Sequence, residues 1–285
     1  MLAISHPQKN ETVLIAGAGD VGIRAARRLV AQGKQVFTLR RSEVAPDPAI
    51  RWLRGDLTRP DTLRGLPKVD AVVFAPTPDA RDEAAYRAVF VDGLRHLIEA
   101  LPAPPDRTVF VSSTAVYGEH AGEWVDETTP TDPPGFNGRV LVEAEDWLAS
   151  RGVGGMSLRL AGLYGPGRTQ LLERLREGKV SVPRGRRVFA NRIHVDDAAA
   201  AIAHLLSLDV HESLYVGVDD TPLPVDELYD YLAGLLGVAP PPDGPSAAGI
   251  GNKRMSNARL RATGFQCRWP DTRMGYAALL NAGVG

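Results

Sequence analysis

The stretch TVLIAGAGDVG at positions 12–22 limits most sharply what this chain can fold into. A short apolar run, Val13-Leu14-Ile15-Ala16, ends in Gly17-Ala18-Gly19-Asp20-Val21-Gly22, and a mixed apolar and basic run continues over 23–31. Strand, tight turn, then helix is the setting a G-x-G-x-x-G pattern needs before it carries meaning. Gly17 permits the sharp turn, Gly19 lets the backbone approach a pyrophosphate, and Gly22 lets the helix pack close to the strand. Free N–H groups at the helix start, those of Asp20 and Val21 among them, and the positive end of the helix dipole favour phosphates there. An ordinary tight βα turn is the plainer alternative.

Further along, 35–39 reads as a second strand, completing a strand–helix–strand unit. It ends in Arg40-Arg41, where a dinucleotide fold carries an acid for a ribose hydroxyl or an arginine for a 2′-phosphate. Two arginines and no acid favour NADP over NAD, a solvated strand end being the alternative. A third strand over 50–53 leads to Asp56-Leu57, placed either to meet an adenine edge or, through Asp56, to cap a helix over 61–66. The apolar run 71–75 is a buried fourth strand, and Ala75-Pro76 opens a loop against which a cofactor could lie. Residues 83–100 show helical spacing of apolar residues, a core face. The fifth strand, 108–112, runs into the hydroxyl cluster Ser112-Ser113-Thr114 and then Tyr117. Repeated alternation of strands and helices implies an α/β fold with a doubly wound parallel sheet of the Rossmann type. Its ligands sit at the carboxyl ends of the strands, where the hydroxyl cluster falls.

Four stretches occur in an order that resembles one family: SSTAVYG at 112–118, LRLAGLYGPGR at 158–168, NRIHVDDAAAAI at 191–202 and YVGVDDTPLPVDEL at 215–228. They are similar to the extended short-chain dehydrogenase/reductases, the NAD(P)-dependent epimerases and dehydratases, over most of the chain. The resemblance implies that Thr114 hydrogen-bonds the reacting oxygen of a substrate and that Tyr117 lines the substrate pocket. It implies that Ser112 adjoins the cofactor, although strand-end backbone groups equally suit that side chain, and that Ser113 and Tyr164 adjoin the substrate. It also suggests a homodimer formed through two helices.

Two departures from the family pattern stand out. The glycine motif is one residue shorter than usual. More seriously, the family's general acid/base is a Tyr followed four residues later by a Lys, and neither appears where helix 4 should open. One register places Phe136 and Val140 there; anchoring on Glu143 gives Gly135 and Arg139; anchoring on Glu145 gives Asn137 and Leu141. Arg139 could hold a ribose as a permanent cation but cannot shuttle protons. Tyr117 is the remaining phenol and the candidate proton donor.

The rest of the chain reads as a sixth strand over 156–160, a short helix over 169–177, a helix over 197–206 capped by Asp196 or Asp197, a seventh strand over 214–218, and a helix over 225–236. Residues 1–165 with 187–218 form the dinucleotide-binding part. Residues 166–186 and 219–285 form a smaller, interleaved C-terminal lobe for substrate. Arg168 and Arg187, with Arg184 and Arg186, could face an anionic substrate, or simply a solvated surface. His194 is read as structural, and no histidine–carboxylate spacing suggests a metal. A net charge of -1 gives no basis for nucleic-acid or membrane binding. The first ten residues do not resemble a secretion signal, and a cytoplasmic protein is expected. The implied activity is an NADP-preferring oxidoreductase, or an epimerase/dehydratase, acting on a small carbonyl, hydroxyl or nucleotide-sugar-like compound. An NADP(H)-binding sensor that has lost catalysis is the alternative.

Overall fold

A computed structural model describes residues 11–42, 47–152, 154–245 and 251–283. The first ten residues, with the secretion-signal reading that concerns them, lie outside the described residues. The strands are β1 (Thr12–Ala16), β2 (Gln35–Arg40), β3 (Ile50–Arg54), β4 (Ala71–Phe74), β5 (Arg107–Ser113), β6 (Trp124–Val125), β7 (Gly155–Leu160), β8 (Gly162–Tyr164), β9 (Phe189–Ala190), β10 (Arg192–His194), β11 (Leu214–Gly217), β12 (Leu223–Pro224) and β13 (Arg254–Met255). The α-helices are α1 (Asp20–Ala31), α2 (Glu83–Tyr86), α3 (Gly93–Ala100), α4 (Phe136–Ser150), α5 (Gln170–Arg176), α6 (Val195–Leu206), α7 (Val225–Leu236), α8 (Ala258–Ala262) and α9 (Thr272–Asn281).

Seven strands form one parallel sheet in the order β11-β7-β5-β4-β1-β2-β3. The central runs, β1 and β4, are buried on both faces, as parallel strands covered by helices must be, whereas the edge strand β3 buries only Ile50. Along β1 the side chains alternate: Val13 and Ile15 pack with α1 and α6, while Leu14 and Ala16 pack with α3 and α4. The doubly wound sheet read from the sequence is therefore the architecture found. A third apolar cluster, with Tyr164, Leu172, Leu228, Leu232 and Tyr276, forms a smaller lobe beside the sheet.

Local differences have local causes. The expected helix over 61–66 is a single 3₁₀ turn, Pro60–Leu63, because Arg64 is extended, Gly65 takes φ +77° and Pro67 follows, which end it after one turn. The helix over 83–100 is interrupted by a π-helical segment, Arg87–Asp92. Helix α6 begins at Val195, and its cap is His194, whose Nδ1 accepts from the Asp196 N–H at 3.2 Å. The aspartates expected to cap that helix lie inside its first turn instead. No helix among the described residues is long and apolar enough to cross a membrane.

Candidate functional site

The glycine turn lies at the carboxyl end of β1. Gly17 has φ +93°, and a Cβ there would meet the Ala75 and Pro76 backbone at 2.4 Å, so this position excludes any side chain. Gly22 would drive a Cβ to 2.3 Å from the Gly17 carbonyl oxygen. By contrast, a Cβ on Gly19 would meet nothing within 4 Å. The helix that follows has no side-chain cap, so its leading N–H groups remain available. A turn pressed shut on one side, open on the other, and ending in an uncapped helix fits a dinucleotide pyrophosphate. Val21 itself is buried and contributes only its backbone. Ala75 and Pro76 are brought against this turn, the Ala75 N–H donating to the Ala16 carbonyl at 2.8 Å.

At the end of β2 the two arginines part company. Arg40 reaches back to the turn, with Nη1 3.4 Å from the Ala18 carbonyl oxygen and its guanidinium over the Trp52 ring at 5.9 Å. Arg41 is held in a two-pronged ion pair by Asp79. Asp56 caps no helix: its Oδ1 accepts from the Thr58 N–H and hydroxyl at 2.9 and 2.8 Å, closing a turn. Leu57 sits beside α3, its carbonyl 2.8 Å from His96 Nδ1.

At the end of β5 the chain turns through a 3₁₀ segment, Thr114–Val116. Ser113 caps it, accepting from the Ala115 N–H at 3.2 Å, and its own hydroxyl proton is not used by that contact. Thr114 Oγ1 makes no hydrogen bond among the described residues and is part-exposed. Ser112 does not face a cofactor: it is 5 % exposed and donates to Glu145.

Tyr117 requires the largest correction. It is 1 % exposed, and its hydroxyl donates to the Asp126 carbonyl at 2.7 Å while accepting from Arg159 Nη1 at 2.7 Å. Burial pushes its pKa above the ordinary phenol value, against the opposing pull of Arg159. A buried phenol with both hydrogen-bonding roles filled cannot serve as the proton donor. Arg159 also binds both carboxylate oxygens of Glu145 through Nε, at 3.1 Å each. The result is a sealed network, Ser112–Glu145–Arg159–Tyr117, beneath the Thr114 turn.

That network also resolves the register of α4. Glu145 faces the sheet, whereas Glu143 is on the surface, paired with Arg87 at 2.7 Å. Asn137 and Leu141 lie on the Glu145 face, two turns and one turn earlier. They therefore occupy the places of the missing Tyr and Lys. Phe136 turns aside to pack edge-on against Tyr86 at 5.3 Å. Arg139 does not hold a ribose; it is 55 % exposed and reaches Glu83 of α2 at 4.0 Å. Lys253 is no substitute for the Lys: it is 4 % exposed, and its ammonium donates to the carbonyls of Tyr117, Gly118 and Gly251.

The expected substrate residues are dispersed. Tyr164 is fully buried in the small lobe, stacked on Tyr276 at 4.6 Å and edge-on to His194 at 5.2 Å, so it lines no open pocket. Arg187 is a surface residue paired with Glu227 at 3.1 Å. Arg184 is paired with Asp230. Arg168 lies at the glycine turn, its Nε 2.9 Å from Asp20 Oδ2. Sequence reading missed Arg24, which links Asp20 at 2.7 Å to Asp196 at 2.7 Å; its i,i+4 spacing from Asp20 was the available signal. Among the described residues, no group of three or more His, Cys, Asp and Glu side chains could hold a metal.

Beside Tyr164, Asp219 is 2 % exposed and accepts from the Thr272 hydroxyl at the start of α9. Burial raises its pKa from 3.8 to about 7. The fold favours the protonated acid, so this contribution to stability is present below pH 3.8 and is lost as the pH rises to about 7. Asp219→Asn is expected to melt a few degrees above wild type at mildly alkaline pH, with the gap closing at acidic pH, as read by thermal denaturation. An equal gap at both pH values would assign the effect to packing.

The model of the NAD dependent epimerase/dehydratase family matches residues 13–217. The chain belongs to the NAD-dependent epimerase/dehydratase family. Protein YeeZ of Escherichia coli is 32% identical over 271 residues, spanning 91% of this chain and 96% of its own. A 3-diazoavenalumate denitrifying reductase from a Streptomyces species is 30% identical over 258 residues, spanning 82% of this chain and 84% of its own. A solved structure from Methylobacillus flagellatus, ascribed to the same family, is 40% identical with a TM-score of 0.82 and covers 96% of this chain and 99% of its own. The glycine cradle and Thr114 both fall within the matched residues.

Proposed function

We infer that this epimerase/dehydratase-family member is an NADP-preferring reductase of a small polarised carbonyl compound, a 4-keto nucleotide sugar or a simpler aldehyde or ketone. The observation that carries this reading is the unbonded Thr114 hydroxyl at the carboxyl end of β5, in the sheet that also holds the open glycine cradle. A bound nicotinamide dinucleotide supplies hydride. Thr114 then stabilises the oxygen that gains charge, donating a hydrogen bond where the substrate carbonyl becomes an alkoxide. An alkoxide takes its proton from water without a dedicated acid. Oxidation of an alcohol, the first step of epimerisation, needs a base to remove the hydroxyl proton, and neither Phe136, Asn137 nor the engaged Tyr117 can act as one. Epimerisation needs that proton step twice, once in each direction, whereas a single reduction driven by the dinucleotide pool needs it once, and this favours the reductase reading. The reductase named among the relatives supports the same direction.

The NADP preference rests on Arg40, whose guanidinium lies at the turn, more than on Arg41, which is tied to Asp79. Arg40→Ala is expected to weaken NADPH binding about tenfold or more, because one charge-assisted contact to the 2′-phosphate is lost. NADH binding should change by less than about threefold, as nothing charged is removed from its ribose. Calorimetric titration of both dinucleotides checks this; equal losses would overturn the preference.

Turnover separates the reductase from its rival. NADPH absorbance is followed with a panel of aldehydes, ketones and 4-keto nucleotide sugars, with product analysis for epimers. Tight NADPH binding without turnover on any of them would favour the binding-only sensor, a role that the lost Tyr–Lys pair also permits.

A further inference from the structure

Asp20 is out of place for a phosphate site. It is the first residue of α1, where incoming phosphates would meet its carboxylate. The carboxylate does not cap its own helix. It turns outward to two arginines, Arg24 Nε at 2.7 Å and Arg168 Nε at 2.9 Å. These contacts hold its pKa below the usual carboxylate range despite partial burial, so it is ionised. Arg24 is fully committed: its two remaining nitrogens bind Asp196 Oδ1 at 2.7 Å and the Pro166 carbonyl at 3.2 Å. Arg168 is not. Among the described residues its guanidinium has the single contact through Nε, and the side chain is 33 % exposed. Both its Nη groups remain as donors.

The backbone around Arg168 is built to hold it there. Its N–H donates to the Gly165 carbonyl at 2.9 Å, closing a tight turn. Gly165 has φ +125°, and a Cβ on it would strike His194 Nε2 at 2.7 Å, so the turn accepts only glycine. Immediately after Arg168 the chain enters α5, whose Leu172 and Leu175 belong to the core of the small lobe. The residue thus reaches from the small lobe to the glycine cradle.

We propose that Arg168 is a diphosphate clamp: Asp20 holds its Nε so that the two Nη groups meet the pyrophosphate of the dinucleotide. The arrangement removes the repulsion that a bare Asp20 would exert and adds two charge-assisted donors of the kind that arginine presents to phosphate. Arg168 therefore acts on the cofactor, and the substrate contact expected from its sequence position is reassigned. The clamp rests on the dinucleotide reading of the cradle. It also means that cofactor binding and the placement of α5 are linked, because the same loop serves both.

Calorimetric titration tests this with two ligands, NADPH and adenosine 2′-monophosphate, which keeps the 2′-phosphate and has no phosphate at the 5′ position. Arg168→Ala is expected to weaken NADPH about 10–10²-fold and the 2′-monophosphate by less than about threefold. Adding Asp20→Asn to Arg168→Ala should recover part of the lost NADPH affinity, because the carboxylate, by then paired with Arg24 alone, is gone. Exposed pairs contribute little to stability, so the variants should fold, as thermal denaturation would verify. Unchanged NADPH affinity in Arg168→Ala would overturn the clamp while leaving the dinucleotide reading intact. So would equal losses for both ligands, which would mark a general distortion of the loop. A wild-type protein that binds neither ligand would remove the dinucleotide reading, and the clamp with it.

Discussion

Arg159→Met should cost about 3–5 kcal/mol of folding stability, the range measured when one partner of a buried ion pair is removed. Arg159 and Glu145 are 5 % and 6 % exposed, and no solvent can take over the carboxylate once the guanidinium is gone. The Tyr117 hydroxyl would lose its donor at the same time. Urea denaturation reads the effect as a lower midpoint at unchanged slope. A loss below about 1 kcal/mol would show that water or a rearranged Ser112 replaces the arginine. The double variant Glu145→Leu/Arg159→Met should recover much of the loss, since both charges then leave the core together.

Thr114→Val is expected to lower kcat/KM about 10²–10³-fold, the usual cost of removing one donor from a developing oxyanion. NADPH affinity should stay within about twofold, because no cofactor contact is assigned to this hydroxyl. Thr114→Ser, which keeps the donor, should retain most of the activity. Initial rates on any carbonyl compound that turns over provide the measurement. Full activity in the valine variant would mean that another group polarises the substrate.

How much of this was legible beforehand depends on how far apart the interacting residues lie. The glycine cradle is contiguous, so strand, turn and uncapped helix could be read from 12–31 directly, and the alternation of apolar strands and helices gave the sheet. Arg40 and Ala75-Pro76 followed from their positions at strand ends. Tyr117 failed because its hydroxyl is engaged by Arg159, 42 residues away, a contact with no trace in local pattern. The contact of Arg168 with Asp20, 148 residues distant, likewise leaves no trace in local pattern. The α4 register stayed open because Glu143 and Glu145 are two apart, and helical periodicity alone cannot say which of them is buried. Only the contact of Glu145 with Ser112 and Arg159 decides it.

The order of strands in the sheet has a consequence for how the molecule is made. Strand β7 borders β5 on one side and β11 on the other, yet the chain runs through α5, β9, β10 and α6 before β11 is reached. A nascent chain that has emerged only through α6 therefore presents β7 as a bare edge, with unsatisfied backbone groups open to a second molecule. Closing that edge requires contacts distant in sequence, which are slow to form. The finished sheet instead ends in β11, a four-residue strand supplied from beyond α6, so a chain cut between β7 and β11 would leave the longer β7 as the edge.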